Sequence, residues 1–277
     1  MSLATARSLL FAPGHEERKL QKALAAGADA VVADLEDAVP AGEKEAARAV
    51  ARRVLEGRAT RSLVAVRPNA VGTAHWEADL EAVSGLELDA LVLPKATPEA
   101  VTALGPDGPP VIAIVETALG LRQAFETARL PRVAALVLGA VDLGAELGLE
   151  PRADGLEVLY ARSQLVVDSA AAGIRSPFDL VHVDIRDDEG LEAEARLARS
   201  LGFRGKACIH PAQIEIVNRV FSPTEEEQER ARRVIEAYEH ALADGRGVVA
   251  LDGEMIDLPV VERARRILAE TERSVSE

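Results

Sequence analysis

What most constrains this chain is the recurrence of short, almost unbroken apolar runs. Eight can be marked: Arg7–Ala12, Ala30–Leu35, Ser62–Arg67, Ala90–Pro94, Val111–Glu116, Val133–Ala140, Phe178–Val183 and Lys206–His210. Each is bounded by turn residues or charges, as expected of strands buried on both faces. Between them lie segments with apolar residues at helical spacing. Glu16–Ala26 carries Leu20, Ala23 and Leu24 on one face, and Glu43–Glu56 carries Ala46, Ala47, Val50, Val54 and Leu55. Leu121–Ala128, Leu156–Ala172 and Glu189–Leu201 continue the series, while the fourth crossover, Thr97–Leu104, is short.

Strand alternating with helix gives a parallel sheet, and eight such units point to an α/β fold, a TIM-like (β/α)8 barrel. An open doubly wound sheet is the rival. Its glycine-rich first turn is absent, because Phe11-Ala12-Pro13-Gly14-His15 is a turn without the dinucleotide fingerprint. The tail differs from the rest. Thr224 followed three residues later by Glu227 reads as a capping box opening a long charged helix to about Ala243. The apolar run Val248–Leu251, the segment Asp252-Gly253-Glu254-Met255-Ile256-Asp257 and a last helix over Pro259–Glu270 follow. The expected organisation is a barrel over residues 1–221 and a C-terminal helical extension over residues 222–277.

Composition narrows the function. Acidic residues outnumber basic ones by 46 to 32, so the net charge is −14. Nucleic-acid binding wants a basic footprint, and anionic membrane surfaces want polybasic segments. Neither partner is expected. The single cysteine, Cys208, rules out an intrachain disulfide and fits a reducing cytoplasm. No apolar run approaches the roughly 18 residues of a spanning helix.

In a parallel barrel the active site lies at the C-terminal ends of the strands. Here those ends carry Asp34, Glu36 and Asp37, then Arg67, Lys95, Glu116, Asp142, His182 with Asp184, and His210. Charge concentrated on one rim is costly unless it holds a metal or an ionic ligand. Carboxylate oxygens dominate over thiolate, which suits Mg²⁺ or Mn²⁺ rather than zinc. Glu116 and Asp142 end strongly apolar runs on neighbouring strands and are the leading metal candidates; the alternative is that either one caps the following helix. Arg67 is placed to grip a substrate carboxylate bidentately, or else pairs with Asp34 or Glu36. Cys208 and His210 share a face, but Cys208 reads better as a small buried hydrophobe than as a nucleophile. Lys95 reads as an ordinary ionic partner rather than a Schiff base, His182 as a satisfied buried histidine, and His15 as a loop residue within reach of the site.

Seen together, several ordered segments carry a resemblance. They are Arg7-Ser8-Leu9-Leu10-Phe11-Ala12-Pro13-Gly14, Asp34-Leu35-Glu36-Asp37-Ala38-Val39, Val66-Arg67-Pro68-Asn69 and Leu93-Pro94-Lys95. Further on come Val115-Glu116-Thr117-Ala118-Leu119-Gly120, Gly139-Ala140-Val141-Asp142-Leu143, Ile209-His210-Pro211 and Gly253-Glu254-Met255-Ile256-Asp257. In this order the chain resembles the citrate lyase β-subunit-like family of the aldolase and citrate lyase superfamily.

The resemblance implies a TIM-like barrel, commonly a trimer, cleaving or forming a carbon–carbon bond between a small oxoacid, such as oxaloacetate, and an acyl-coenzyme A thioester. By the same analogy Glu116 and Asp142 match Mg²⁺ ligands, and Arg67 and Glu116 match substrate contacts. Asp257, in the extension, matches an aspartate that enters a neighbouring subunit's site as acid or base; apart from the resemblance, the other candidate base is Asp37 within the subunit. Val141 stands where many relatives carry an acidic residue. True citrate lyase β chains work in a larger complex with an acyl carrier protein, which is the alternative reading. Phosphoryl transfer on a pyruvate-like substrate lacks its phosphate-cradling glycine loop here.

Overall fold

The structure, a computed structural model, describes residues 2–276, with side chains as far as Thr271. Two units are distinguished, Met1–Phe221 and Ser222–Glu277. The first alternates strand and helix: β1 (Ser8–Pro13), α1 (Glu17–Leu24), β2 (Ala30–Asp34), α2 (Lys44–Glu56), β3 (Leu63–Arg67), α3 (Trp76–Val83), β4 (Ala90–Leu93) and α4 (Pro98–Ala103). It continues with β5 (Val111–Val115), α5 (Ala118–Arg122), α6 (Ala124–Ala128), β6 (Val133–Leu138), α7 (Ala140–Leu147), α8 (Leu159–Ala172), α9 (Asp188–Leu201), β7 (Lys206–Cys208) and α10 (Gln213–Val220).

All seven strands pair in parallel, in the order β6-β5-β4-β3-β2-β1-β7. The eighth stave is where expectation and structure part. Of Phe178–Val183 only Phe178 and Asp179 pair, Phe178 with Val137 and Asp179 with Lys206. These two residues nevertheless join both edges of the sheet. Phe178 N donates to Leu136 O (2.9 Å) and Leu138 N to Phe178 O (3.1 Å). On the other side Asp179 N donates to Gly205 O (2.8 Å) and Ala207 N to Asp179 O (2.9 Å). The result is a TIM-like barrel of seven strands and a two-residue closing bridge.

A buried ionic cluster replaces the missing ladder at this seam. Asp179 accepts from Arg162 Nε (2.9 Å) and Nη2 (3.0 Å) and from Lys206 Nζ (3.0 Å). All three side chains are fully buried. Glu194 lies 3.3 Å from Arg162 and 2.8 Å from Lys206. Burial alone would raise the Asp179 pKa, but the two cations outweigh it and hold the carboxyl below its usual range. Gly205 makes the close approach possible, since a Cβ there would meet Arg7 O and Phe178 Cδ1 at 2.6 Å.

The two-residue period of each strand sorts its side chains. Ala30 and Val32, Leu63 and Ala65, Ile112 and Ile114, and Ala135 and Val137 pack in one cluster with Leu9, Phe178 and Ala207, inside the barrel. Their alternates face outward. Val31, Ala33, Val64 and Val66 pack among the helix side chains Leu20, Ala47, Leu55 and Val217. Val111, Ala113 and Val115 pack with Ala124, Leu143 and Leu165. Each large aliphatic side chain so buried contributes about 1.5–3 kcal/mol. The helices α3, α7 and α10 were not expected from sequence. The last residue of the expected strand Val133–Ala140 opens α7 instead.

The second unit comprises α11 (Glu225–Ala243), the antiparallel strands β8 (Val249–Leu251) and β9 (Glu254–Ile256), and α12 (Leu258–Ser276). Its capping box is present, with Thr224 Oγ1 accepting from Glu227 N (3.1 Å) and Glu227 Oε2 from Thr224 N (2.8 Å). The hairpin turns through Asp252 and Gly253, both at positive φ (51° and 84°), which matches the twist of the flanking strands. Ala231, Val234, Tyr238, Ile256, Val261 and Ala264 form a core of its own. Among the described residues no helix is long and apolar enough to cross a membrane.

Candidate active site

The inward series does not stop where the strands stop. On β2 it runs Ala30, Val32, Asp34; on β3 it runs Leu63, Ala65, Arg67. Ile112 and Ile114 of β5 are followed at the same spacing by Glu116, and Ala135 and Val137 of β6 by Gly139. The apolar filling of the barrel therefore gives way to charge at its C-terminal rim. There a cavity of about 410 Å³ opens, whose charged lining residues are Asp34, Asp37, Arg67, Glu116 and Asp142. Apolar side chains line it as well, among them Phe11, Ile114, Val137, Val141, Val181 and Ile209.

Arg67 is held firmly. Its Nε and Nη2 fork onto Asp34 Oδ1 and Oδ2 at 2.7 and 2.5 Å. Its Nη1 lies 3.1 Å from Glu36 Oε2 and 3.3 Å from Asp37 Oδ2. The guanidinium carbon sits 5.2 Å from the centre of the Phe11 ring. Burial would lower its pKa, but Asp34, Glu36 and Asp37 outweigh that, so it stays charged. Asp34 is in turn saturated by Glu36 N (2.9 Å) and Ala38 N (3.1 Å). The pairing of Arg67 with Asp34 and Glu36 is thus a fact of the structure. The Nη1 end is shared between the buried Glu36 and the exposed Asp37, and of its partners only Asp37 stands in solvent.

Glu116 is only 4% exposed, and burial pushes its pKa up to about 7. Lys95 N donates to its Oε1 at 2.8 Å, which works against the rise, while the charges of Glu36 and Asp142 add to it. Gly139 clears its space, because a Cβ there would meet Glu116 Oε2 at 2.8 Å and Ile114 Cγ2 at 2.9 Å. Asp142 lies not at a strand end but in the first turn of α7, half-buried. It caps nothing: α7 has no side-chain cap, and among the described residues the Asp142 side chain makes no hydrogen bond or ion pair.

Lys95 ties the two halves of the rim together. Its Nζ donates to Glu36 Oε1 at 2.8 Å and lies 3.7 Å from Glu116 Oε1. Burial would lower its pKa, but Glu36 and Glu116 hold it above its ordinary value, as befits an ionic partner of these carboxylates. Glu36 is raised by burial, a rise that Arg67 and Lys95 reduce without cancelling.

Cys208, His210, His182 and His15 do not line this cavity. Cys208 is buried, its thiol pushed up to about 12 by burial, and it is no nucleophile. His210 is exposed, its Nδ1 accepting from Ala212 N (3.2 Å). His182 Nδ1 pairs with Glu194 Oε2 at 3.2 Å, and His15 Nε2 lies 3.9 Å from both Glu16 and Glu43. Asp257 belongs to the second unit, where its Oδ1 accepts from Val260 N (3.3 Å) at the start of α12.

The donor set suits a hard divalent cation. Among the described residues no group of three acidic, histidine or cysteine side chains forms a ready-made metal cage. Glu116 and the unpaired Asp142 supply two carboxylates on one cavity, which leaves coordination positions to water and ligand oxygens.

A parallel barrel with a half-charged, half-apolar cavity at the carboxyl ends of its strands has the architecture of the TIM-like enzymes. More narrowly, residues 7–211 match the HpcH/HpaI aldolase/citrate lyase family, to which the chain belongs. It is 42% identical over 274 residues to a (3S)-malyl-CoA thioesterase of Cereibacter sphaeroides, covering 96% of this chain and 94% of the relative. It is 37% identical over 279 residues to the citrate lyase subunit beta of Leuconostoc mesenteroides, covering 95% and 92%. Among solved structures, CitE of Mycobacterium tuberculosis in complex with magnesium, acetoacetate and coenzyme A superimposes with a TM-score of 0.85 at 39% identity, covering 97% of this chain and 99% of that one.

Proposed function

We propose that this protein is a Mg²⁺-dependent carbon–carbon lyase of the aldol/Claisen type. Its substrates would be a small oxoacid and an acyl-CoA thioester such as citryl-, malyl- or citramalyl-CoA. The observation that carries this reading is one cavity bordered by a buried carboxylate, an unpaired carboxylate and a guanidinium whose Nη1 reaches the exposed carboxylate of Asp37. Glu116 and Asp142 would hold the metal, which Mn²⁺ could replace at the same oxygen donors. Bound there, the ion would supply Lewis-acid polarisation of the oxoacid's carboxylate and carbonyl oxygens.

The remaining work falls to the chain. Arg67, fixed by Asp34, offers Nη1 to the oxoacid carboxylate, which takes the place of Asp37. The freed Asp37 is one candidate base. The other is Asp257 entering from a neighbouring subunit of a homotrimer, with the extension packed on that neighbour. In cleavage the base removes the proton of the 3-hydroxyl group. The hydroxyl oxygen becomes the oxoacid carbonyl, the bond between C2 and C3 breaks, and its electron pair passes into the thioester enolate. Return of the proton to C2 completes the acyl-CoA product. In synthesis the same base takes a proton from the thioester methyl.

A second reading is thioester hydrolysis, favoured by the 42% identity to the malyl-CoA thioesterase. A third is a β subunit working on an acyl carrier protein thioester, favoured by the citrate lyase relatives. One experiment separates them. Purified protein with Mg²⁺ and each of the three acyl-CoA substrates is assayed for oxoacid and for free thiol. Oxoacid without free thiol is the lyase outcome. Free thiol without oxoacid would overturn it in favour of hydrolysis. Neither product, with turnover restored by an acyl carrier protein thioester, would favour the subunit reading.

A further inference from the structure

Lys95 adopts φ of 48°, a left-handed conformation unusual for a residue with a Cβ. Such strain persists only where the surroundings hold it, and it gathers at functional sites. Here the conformation lets one residue reach two carboxylates by two routes. Its main-chain N–H donates to Glu116 Oε1 at 2.8 Å, and its ammonium donates to Glu36 Oε1 at 2.8 Å. The ammonium also stands 3.7 Å from Glu116 Oε1, and Lys95 is not among the residues lining the cavity. Glu36 in turn is 3.1 Å from Arg67, so Lys95 links the proposed metal carboxylate to the proposed oxoacid cation.

We infer that Lys95 is a positioning residue that sets the charge of this site: its amide fixes Glu116, while its ammonium offsets the carboxylates' negative charge. The inference rests on the metal reading above. The ammonium weakens the pull of Glu116 on a dication and strengthens the pull of the rim on an anion. Its removal therefore changes the two affinities in opposite directions, whereas loss of a merely structural prop lowers both.

The test is calorimetry on full-length protein, first with Mg²⁺ alone and then with oxaloacetate at saturating Mg²⁺. Since the side chain is 43% exposed, solvent screening keeps the expected effects modest, on the order of threefold. K95M should bind Mg²⁺ about threefold more tightly and oxaloacetate about threefold more weakly, and K95R should match wild type in both. K95G keeps the amide, relieves the left-handed strain and should behave as K95M, which guards against a misfolded K95M. Mg²⁺ affinity unchanged or lowered in both K95M and K95G would overturn the inference. A wild-type protein that binds no Mg²⁺ would instead overturn the metal reading, and this inference with it.

Discussion

Replacing Glu116 by glutamine should stabilise the metal-free protein at alkaline pH and abolish its stabilisation by Mg²⁺. Burial raises the Glu116 pKa from 4.5 to about 7, so the folded chain holds a proton there that the unfolded chain releases. Stability from this group is highest below pH 4.5, falls as pH rises through that window, and reaches its full deficit above about 7. The gap corresponds to about 3 kcal/mol at pH 8. E116Q has no charge to bury, and its Oε1 can still accept from Lys95 N. For a barrel of this size the Tm gain at pH 8 is at most roughly 6–12 °C, shrinking towards zero by pH 5.

Thermal unfolding of both proteins in chelator, from pH 5 to 8, measures the difference directly. Adding Mg²⁺ should raise the Tm of wild type and leave E116Q unchanged. Proton competition should also make apparent Mg²⁺ affinity about tenfold weaker at pH 6 than at pH 8. If E116Q gains nothing at pH 8, or if Mg²⁺ stabilises both proteins equally, Glu116 is not a buried carboxylate awaiting a cation.

Three further outcomes follow from the geometry. D179N, which strips the charge that Arg162 and Lys206 share, should cost about 3–5 kcal/mol and lower the Tm, read by thermal unfolding; a near-neutral change would mean that the seam needs no ion pair. G139A should leave the barrel folded by circular dichroism but displace Glu116 and abolish Mg²⁺ binding in calorimetry, because its new Cβ would lie 2.8 Å from Oε2. R67K should weaken oxoacid binding at least tenfold, since one ammonium cannot keep the Asp34 fork and still offer a free end, and unchanged binding would place the oxoacid elsewhere.

The inward series explains what could be read in advance. Asp34, Arg67 and Glu116 follow two-residue steps from apolar positions, so strand period alone assigns them to the barrel mouth. Asp142 breaks that parity: β6 stops at Leu138 and the chain turns into α7, so its place in the cavity depends on helix geometry. The grip of Asp34 on Arg67 was one of two readings, because either a substrate or a neighbouring carboxylate satisfies a lone guanidinium in a sequence. The roles of Gly139 as a gap and Lys95 as a link left no local signal, since both arise from contacts between residues on different strands.

From the order of its residues alone this chain was bound to form a parallel sheet buried on both faces with charge at one end, because unbroken apolar runs alternating with helical spacing are properties of local sequence. Whether the sheet closed, and on what, was settled only in three dimensions. Phe178 and Asp179 complete the barrel with two residues where the sequence offers six, and the buried Arg162–Asp179–Lys206 cluster there joins residues from three separate segments. The same holds for the cavity: which carboxylates are paired and which remain free depends on cross-strand distances that no single segment encodes.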